Sequence, residues 1–426
     1  MSTRETQVTA PAGAIVGTSD GEVRTFHSIP YAHVPAPFES PAPAPTGLLI
    51  DATAPDPSTT RLSITTPEGA RRNDDLPVIV FIHGGRFEEG SHTDTFSNPE
   101  GFARAGFVHV RVGYRLKFPG MLPLSGDAPH EYRAVQDCAT ALSWIQRNIE
   151  PFGGDPTNVT IVGHSAGADI ALWLARRDHY KGEFRRAVVA SPVFPRRSFA
   201  ARKWAARGAL GTPLLRGELN ALAARNPKRI ARAYGRFRTQ YATDIALGPF
   251  PLEAGALARV PLVVTSTRDE FIPMVRGLDR VGMGKPAATL MARHMGVAKG
   301  HTRAYLERAA AMDPHAVGGR LISDALCRRW VDQIAEGAPG ELWQAELLPT
   351  DTRPAYHSKE LTPAFSTGTR LNAWLTHFAR TGEAGWRPYA EDRTVMRVRL
   401  DGAGAEEVTD PLGYVRGVFA PVAQEH

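Results

Sequence analysis

The sequence predicts an α/β protein with a mostly parallel central sheet and helices on both of its faces. Short apolar runs alternate with helix-like segments between about residues 78 and 190, and similar runs return at Leu262–Thr265 and Leu342–Leu347. Long helical stretches separate the later runs. Parallel strands need crossover connections, and helices supply them on both faces of the sheet. The length suits one large domain or two ordinary ones, and no internal repeat is visible. The prediction is a single domain over residues 1–426.

The first half of the chain supplies most of the predicted elements. Helical spacing is clear in "EYRAVQDCATALSWIQR", where apolar residues recur every three or four positions. The apolar runs are short and bounded by turn residues, as buried strands are. The strand predictions are Val78–Ile82, Phe107–Val112, Val159–Val162 and Arg186–Ala190, and the helix predictions are Glu131–Arg147 and Ala166–Arg176.

Two helical insertions are predicted in the second half, at about residues 192–250 and 274–336. In the first, Asn226 is suited to cap a helix and Pro227 to occupy its first position. The proline-rich stretch Pro35–Pro45 is predicted to be an extended surface crossing. We expect the first insertion to form much of a cap over a pocket, with Trp204, Phe194, Phe199 and Phe250 as candidate wall residues.

Composition indicates a soluble protein. Hydrophobic residues make up 42% of the chain and charged residues 22%, and only Cys138 and Cys327 are cysteines. Few cysteines favour a reducing compartment over a disulfide framework. The N-terminus lacks a basic start followed by an apolar core, and no apolar run reaches membrane length. We therefore expect a cytoplasmic protein without a membrane span.

The positive charge is concentrated in one segment. Between Arg196 and Arg238 there are twelve Lys or Arg residues and a single acidic residue, Glu218. Such a segment suits either an anionic partner or Arg-rich helix faces in solvent. No aromatic-interleaved binding motif accompanies the charge, so no nucleic-acid partner is expected.

The pattern G-x-S-x-G occurs twice, around Ser19 and around Ser165. A nucleophilic serine on this motif needs a strand before it and a helix after it, which hold the hydroxyl on a sharp turn. Ser165 follows "NVTIVG" and precedes "AGADIALWLARR", so it has both. Ser19 lies in a Ser-Asp-Gly turn followed by a strand-like segment. Ser165 is therefore the predicted nucleophile.

A second motif, His83-Gly84-Gly85, directly follows the strand Val78–Ile82. Glycines there let backbone N–H groups point at an anion. Neither G-x-G-x-x-G nor a P-loop pattern is present, so a bound phosphate is a poor explanation. In esterase-type α/β-hydrolases such a loop supplies donors to the oxyanion hole, together with the N–H of the residue after the nucleophile, here Ala166.

Several segments resemble the type-B carboxylesterase family, which includes cholinesterases and bacterial para-nitrobenzyl esterases. The most specific match is "ALSWIQRNIEPFGGDPTNVTIVGHSAG". Others are "HSIPYAHVPAPF", "PVIVFIHGGRFEEGS", "VRVGYRL", "VPLVVTSTRDEF", "AYHSKELTPAF" and "WLTHFARTGEAGWRPY". They follow the family's order over nearly the whole chain. The resemblance implies the α/β-hydrolase fold.

The resemblance also implies a catalytic triad. Ser165 matches the nucleophile, Glu270 the acid and His357, in His-x-x-Glu-Leu, the general base. The chain order Ser, acid, His is the one expected of α/β-hydrolases. Asp269 is the alternative acid. The residues themselves leave other histidines open as the base: His294, His301, His315 and His377.

In the family's glycine loop, Gly85 and Arg86 would give N–H groups to the oxyanion, along with Ala166, while Gly84 shapes the turn. No metal and no organic cofactor is implied. The chain departs from the family at Arg86, where a third glycine is usual, and at His164, where Glu is common. Arg86 is expected to turn its side chain toward Glu88, Glu89 or the pocket mouth, and His164 to point away from the substrate.

Other departures are Phe271 in place of a glycine after the acid and the absence of the family's early disulfide. The chain is also shorter than typical members, so loops over the pocket are expected to be trimmed.

The predicted function is hydrolysis of a small carboxylic ester, with water as the second substrate. The alternatives are an amide or carbamate hydrolase or an acyltransferase that uses the same residues, and an inactive binding protein on the same fold. The filled triad positions favour an enzyme. The particular ester and the oligomeric state are left open by the sequence.

Overall fold

In the computed structural model, which describes residues 3–420, a large central sheet runs through the molecule. Its strands begin in the first ten residues and end near residue 409. In chain order the strands of this range are β1 Arg4–Ala10, β2 Gly13–Ser19, β3 Val23–Pro30, β4 Ala32–His33, β5 Ala42–Pro43, β6 Leu48–Asp51, β7 Arg61–Pro67, β8 Leu76–Ile82, β9 Val108–Val112, β10 Gly154–His164, β11 Arg186–Ala190, β12 Leu262–Thr267, β13 Leu342–Leu348, β14 Thr394–Arg399 and β15 Glu406–Thr409.

Helices cover both faces of the sheet and fill the long connections between strands. A π-helical turn, Asp324–Arg328, joins two of them. Within the same described range the α-helices are α1 Pro99–Arg104, α2 Lys117–Met121, α3 Arg133–Asn148, α4 Ala166–Leu174, α5 Lys203–Leu210, α6 Arg216–Arg225, α7 Pro227–Thr239, α8 Arg276–Arg280, α9 Gly284–Met291, α10 Thr302–Met312, α11 Val317–Ser323, α12 Arg329–Gly337, α13 Leu361–Phe365 and α14 Arg370–Thr381.

The centre of the sheet is parallel, as predicted. Strands β9, β8, β10, β11, β12, β13 and β14 are neighbours in that order, and each pair is parallel. Antiparallel strands extend both sides: β7, β3, β2 and β1 beyond β9, and β15 beyond β14. The central strands are buried on both faces, which explains their continuous apolar runs.

Both predicted insertions contain helices, and each insertion connects two neighbouring strands of the sheet. Helices α5 to α7 lie between β11 and β12, and helices α8 to α12 lie between β12 and β13. Asn226 accepts a hydrogen bond from the Arg229 N–H, 3.0 Å away, and Pro227 is the first residue of α7. The N-terminal cap of this helix therefore forms as its sequence predicted.

Because the central strands are parallel, their carboxyl ends meet at one edge of the sheet. Strands β8, β10, β12 and β13 end there beside one another, and the segments that follow them hold the predicted site residues. Ligands of open α/β sheets bind outside the carboxyl ends of the strands. This edge is where the candidate site is found.

Candidate active site

Ser165 lies on a strained turn between β10 and α4. Its backbone angles, φ 53° and ψ −121°, are ones that a non-glycine residue rarely adopts. Its N–H donates to the Ala190 carbonyl at 2.9 Å, which helps to hold the turn. A Cβ atom on Gly167 would lie 2.1 Å from the Ile82 carbonyl oxygen, and one on Gly163 would lie 2.3 Å from the Gly167 carbonyl oxygen. Both glycines of the motif are therefore required by close backbone packing.

The serine of the second G-x-S-x-G match, Ser19, lies in a turn away from the strand-to-helix geometry of Ser165. Ser19 is the last residue of β2, and its hydroxyl donates to Glu68 Oε2 at 2.6 Å. The Ser19 hydroxyl oxygen also accepts the Gly21 N–H at 3.0 Å, closing the turn that the sequence indicated. Ser19 is therefore a turn residue bonded to a carboxylate.

Glu270 and His357 form a close pair. Glu270 follows β12 and His357 lies on the loop after β13, so two neighbouring strands bring them together. His357 Nδ1 lies 2.6 Å from Glu270 Oε2, and the His357 N–H donates to the Glu270 carbonyl at 2.9 Å. Asp269, the alternative acid, is instead held by Arg320, whose Nη2 lies 2.8 Å from Asp269 Oδ1.

The second oxygen of Glu270 has three donors of its own. The Ser191 hydroxyl lies 2.7 Å from Oε1, the Thr267 N–H lies 2.8 Å away, and the Cys327 thiol lies 3.4 Å away. Burial raises the pKa of this carboxyl, but His357 and the hydrogen bonds outweigh burial and hold the pKa below its ordinary value. Glu270 is therefore a charged carboxylate that can orient the imidazole of His357.

The same pairing acts on the imidazole. Burial lowers the pKa of His357, but the negative charge and hydrogen bond of Glu270 outweigh it, so the pKa lies above the ordinary value of 6.5. Because Nδ1 faces the carboxylate, Nε2 is the nitrogen left for other partners. An imidazole held in this way can take a proton at Nε2 and keep the resulting charge next to Glu270.

Ser165 and His357 line one cavity of about 470 Å³, together with the glycine loop. The cavity wall also includes acidic Asp94 and Glu89 and exposed Phe96. A volume of this size lies within the usual range for small-molecule sites. Its lining residues are Phe81, His83, Gly84, Gly85, Arg86, Glu89, Gly90, Asp94, Phe96, His164, Ser165, His357, Ser358 and Leu361.

The glycine loop lies directly against the nucleophile. A Cβ atom on Gly84 would be 3.1 Å from Ser165 Cβ, and Gly85 has a φ of 108° that suits glycine. Arg86 follows with a φ of 57°, so a non-glycine residue occupies the left-handed region here. Among residues 3–420, no protein acceptor is bonded to the Gly85 or Arg86 N–H. Ala166 is the first residue of α4, where helical N–H groups have no partner within the helix.

The side chain of Arg86 reaches away from the loop to the first insertion. Its Nη2 donates to the Asp244 carbonyl at 2.8 Å, and its Nε lies 3.8 Å from Glu88. Arg238 of α7 also binds Glu88, at 3.1 Å. The sequence predicted the approach to Glu88 but could not indicate Asp244. The guanidinium therefore links the glycine loop to the insertion after β11.

His83 supports the loop from below. Its Nδ1 lies 2.7 Å from the Gly84 carbonyl oxygen, and its ring stacks on Tyr114 with centroids 4.3 Å apart. The Tyr114 hydroxyl donates to the His83 carbonyl at 2.7 Å. Burial lowers the pKa of His83, so the ring is neutral near neutral pH. These contacts hold the glycine loop in place.

His164 does not point away from the site, so the expectation from sequence was wrong here. Its ring centroid lies 4.9 Å from that of His357, and it lines the catalytic cavity. His164 Nε2 lies 3.3 Å from Glu360 Oε1, without the alignment of a hydrogen bond. Ser191 donates to the same Glu360 oxygen at 3.1 Å. Glu360 is the Glu of the His-x-x-Glu motif, but its motif alone did not indicate a contact with His164.

The four candidate wall residues are not at the catalytic cavity. Trp204 is 75% exposed, and Phe194 is buried in the core against Trp330, with ring centroids 5.8 Å apart. Phe199 lines a different cavity, near Leu124 and Leu214. The sequence alone could not show which aromatic residues of the insertion face the cavity, because the direction of each side chain depends on how the helices pack.

The basic segment lies mostly on exposed helix faces, and several of its arginines also bind groups of the same chain. Arg202 is nearly fully buried, with Nη2 2.6 Å from Asp244 Oδ2 and its guanidinium over the Tyr241 ring. Other members bind carboxylates or backbone carbonyls of the same chain: Arg196, Arg216, Arg229, Arg236 and Arg238. Eight of the twelve basic residues are exposed and only Arg202 is buried, so the Arg-rich helix faces in solvent that the sequence allowed describe most of the segment.

Among residues 3–420, no helix has the length and apolar character needed to cross a membrane. Within the same range, no group of three or more His, Cys, Asp or Glu side chains is placed to hold a metal ion.

The model of the carboxylesterase family matches residues 59–210. A para-nitrobenzyl esterase of Bacillus subtilis is 31% identical over 308 residues, which is 62% of each chain. A probable N-octanoylanthranilate hydrolase of Rhodococcus erythropolis is 30% identical over 327 residues, which is 66% of this chain and 71% of that protein. The chain belongs to the type-B carboxylesterase family. The resemblance found in the sequence is confirmed.

Solved structures of carboxylesterases have the same fold. A carboxylesterase from Geobacillus stearothermophilus aligns with a TM-score of 0.79 at 23% identity, covering 97% of this chain and all of that one. A para-nitrobenzyl esterase aligns with a TM-score of 0.74 at 24% identity over 96% of this chain. The fold is therefore the α/β-hydrolase fold. In sequence, the match spans less than two thirds of the Bacillus subtilis relative.

Proposed function

We propose that this member of the carboxylesterase family is a serine carboxylesterase that uses Ser165, His357 and Glu270. The observation that supports the proposal is that the strained serine, the imidazole and the glycine loop line one cavity, while the carboxylate of Glu270 holds the imidazole from behind. Each part has a separate chemical use in acyl transfer to serine.

In the proposed first step, His357 Nε2 removes the proton from the Ser165 hydroxyl as its oxygen attacks the ester carbonyl carbon. Glu270 holds the imidazole by Nδ1 and stabilises the imidazolium that forms. The carbonyl oxygen becomes an oxyanion. In this scheme the N–H groups of Gly85, Arg86 and Ala166 donate to it. The close approach of Gly84 to Ser165 supports this role for the loop.

In the second step the tetrahedral species collapses. The bond between the carbonyl carbon and the alcohol oxygen breaks, and His357 returns its proton to the leaving alcohol. Water then attacks the acyl group on Ser165, with His357 again as the base, and releases the carboxylic acid and free Ser165. The scheme uses the ester and water as its two substrates and needs no metal or cofactor.

The decisive test is hydrolysis of p-nitrophenyl acetate, butyrate and octanoate by the wild type and by Ser165→Ala. We expect the variant to lose of the order of 10⁶ in kcat, as in a comparable triad. Ser19→Ala is the matched control, since it changes the serine of the same motif and should keep the activity. Circular dichroism establishes that each variant is folded.

Absence of activity in the wild type would call for a fluorophosphonate probe followed by peptide mapping. Labelling of Ser165 would indicate a reactive triad with a narrower substrate choice. No labelling would overturn the proposal and favour the inactive binding protein.

Amide hydrolysis is a second candidate, and one observation favours it. The Rhodococcus erythropolis relative is named for an N-acyl compound, which contains an amide bond. The acyl-enzyme is common to esters and amides, so the same residues would serve. Comparing p-nitrophenyl butyrate with the matching p-nitroanilide separates the two. A larger kcat/KM for the anilide would make an amide, instead of an ester, the proposed substrate.

We further infer a cytoplasmic protein of one domain over residues 1–426, in which the two insertions cap the site. Both cysteines are free and buried, which supports a reducing compartment. The contacts of Arg86 and Arg238 support a cap that includes the first insertion. No nucleic-acid partner is proposed.

A further inference from the structure

A second cavity lies on the other side of His164 from the nucleophile loop. It lies between strands β10 to β13 and the helices α13 and α14, and its volume is about 90 Å³. Its walls are mostly apolar, with small side chains on the strands and large ones on the helices. Among them are Val188, Val263, Ala345, Trp374, Leu375 and Phe378. The proposed ester hydrolysis does not use this cavity.

Two polar side chains interrupt the apolar wall, His164 and Glu360. Both are buried, with 4% and 2% of their surfaces exposed. Glu360 Oε2 and His164 Nε2 have no hydrogen-bond partner within the described chain, although His164 Nε2 lies 3.3 Å from Glu360 Oε1. A buried polar atom without a partner costs free energy, so a ligand that supplies the missing bonds gains by binding here.

The chemistry of this pair selects the head group of the ligand. Glu360 Oε2 needs a donor, and His164 Nε2 donates or accepts according to its tautomer. When His164 Nε2 carries the proton, a hydroxyl group satisfies the pair, because it donates to Glu360 Oε2 and accepts from the imidazole N–H. A ligand carboxylate would face the oxygens of Glu360, and an ammonium group has no acceptor for an imidazole N–H. The remaining walls require an apolar group beside the hydroxyl.

The size of the cavity limits that group. A cavity of about 150 Å³ holds a benzene molecule, so a cavity of about 90 Å³ has room for roughly four carbon atoms. We propose that the cavity behind His164 is a binding site for a short aliphatic alcohol of about this size, held by its hydroxyl between His164 and Glu360.

The location connects this site to the chemistry of the catalytic cavity. His164 and Leu361 line both cavities, so they form the wall between them. An alcohol is also what ester hydrolysis releases. This last connection rests on the proposed function, whereas the binding of alcohol does not. The site would hold a product of the reaction beside the residues that form it.

The test is ligand-observed saturation-transfer NMR with 1-butanol on Ser165→Ala, which keeps both cavities and cannot turn over an ester. Methyl propyl ether is the matched ligand, since it is an isomer of butanol without a donor. We expect butanol to bind at least about tenfold more tightly than the ether, the effect of one hydrogen bond of about 1.4 kcal/mol. Equal binding of the two ligands would overturn the proposal, as would no binding of butanol, which would leave the cavity to water.

Location is tested by filling the cavity. Ala364 lines it from α13, and Thr362 is exposed on the same helix. Ala364→Leu should abolish the butanol signal, and Thr362→Leu should leave it unchanged. If Ala364→Leu fails to fold by circular dichroism, Val188→Ile adds a single methyl group to the same cavity and should weaken binding. Butanol binding that survives a folded filled variant places the ligand elsewhere and overturns the site.

The two proposals fail separately. Butanol binding by a wild type that neither hydrolyses an ester nor is labelled at Ser165 by the fluorophosphonate would support the site and overturn the proposed function. Ester hydrolysis without butanol binding would do the reverse.

Discussion

At the scale of single residues, the pairing of His357 with Glu270 predicts the pH dependence of catalysis. The imidazole must be neutral to accept the serine proton, so kcat/KM should rise with pH through the pKa of His357, which lies above 6.5. Glu270→Gln removes the charge that stabilises the imidazolium. The midpoint of the acid limb should therefore move to lower pH, while kcat falls at every pH.

The measurement is kcat/KM for p-nitrophenyl butyrate between pH 5 and 9, at constant ionic strength. Asp269→Asn is the matched control, because Asp269 pairs with Arg320 instead of His357. That variant should leave the midpoint unchanged. A midpoint that stays in place in Glu270→Gln, or that moves to higher pH, would rule out the assigned partner of the imidazole.

Arg86 gives a second prediction at this scale. Its proposed role in the oxyanion hole belongs to the backbone N–H, while its guanidinium binds the Asp244 carbonyl. Arg86→Ala keeps the N–H, so kcat should fall by less than about tenfold, against the 10²–10³ expected for loss of one donor. Steady-state kinetics with p-nitrophenyl acetate, too small to reach far from the serine, is the assay. A loss of 10² or more would show that the guanidinium itself takes part.

The sequence predicted the residues that local context defines and missed those that depend on distant packing. Ser165 was distinguished from Ser19 by the strand and helix around it, and the glycine loop by its place after β8. The direction of His164 could not be predicted, because it depends on Glu360 from a loop that follows a different strand. The same holds for Arg86, whose partner Asp244 is 158 residues away.

At the scale of elements, the parallel strands β8 to β13 and the helices α3 and α4 were predicted within a few residues, whereas the last parallel strand, β14, was not predicted. Continuous runs of Val, Ile and Leu identify parallel strands that are buried on both faces of the sheet. The antiparallel strands β1 and β2 at the N-terminus were not predicted. Their buried and exposed positions alternate, but many residues are small or polar, so the period of two is weak in the sequence.

The first insertion gives an element-scale prediction. Arg202 packs α5 against the segment after α7 through Asp244 and the Ala246 carbonyl, 2.8 Å away. Arg202→Leu leaves the Asp244 carboxylate short of a buried partner, and should lower the free energy of unfolding by about 3–5 kcal/mol. Denaturant unfolding measures this value. Arg232→Leu, on the exposed face of α7, is the matched control and should change stability by no more than about 0.5 kcal/mol.

At the scale of the whole molecule, the net charge of +6 arises from one segment whose basic residues lie mostly on exposed helix faces, with some bonded to carboxylates of the same chain. No aromatic-interleaved binding motif accompanies this charge. We therefore expect no retardation of a 30-base-pair DNA duplex at micromolar protein in about 0.15 M salt. An electrophoretic mobility shift assay with a salt series tests this. A shift that persists at that salt, with a steep dependence of affinity on salt concentration, would instead indicate a binding surface for nucleic acid.

The parallel centre of the sheet has a consequence for how the protein becomes active. Strand β12 pairs with β13 across the whole second insertion, and the proposed nucleophile, acid and base follow three different strands. Pairings between segments so far apart in the chain form late in folding, because each closes a long loop. A chain emerging from the ribosome builds Ser165 and its turn well before His357 has been synthesised. The appearance of esterase activity during refolding should therefore lag behind the recovery of helical circular dichroism, and turnover would report the completion of the native topology.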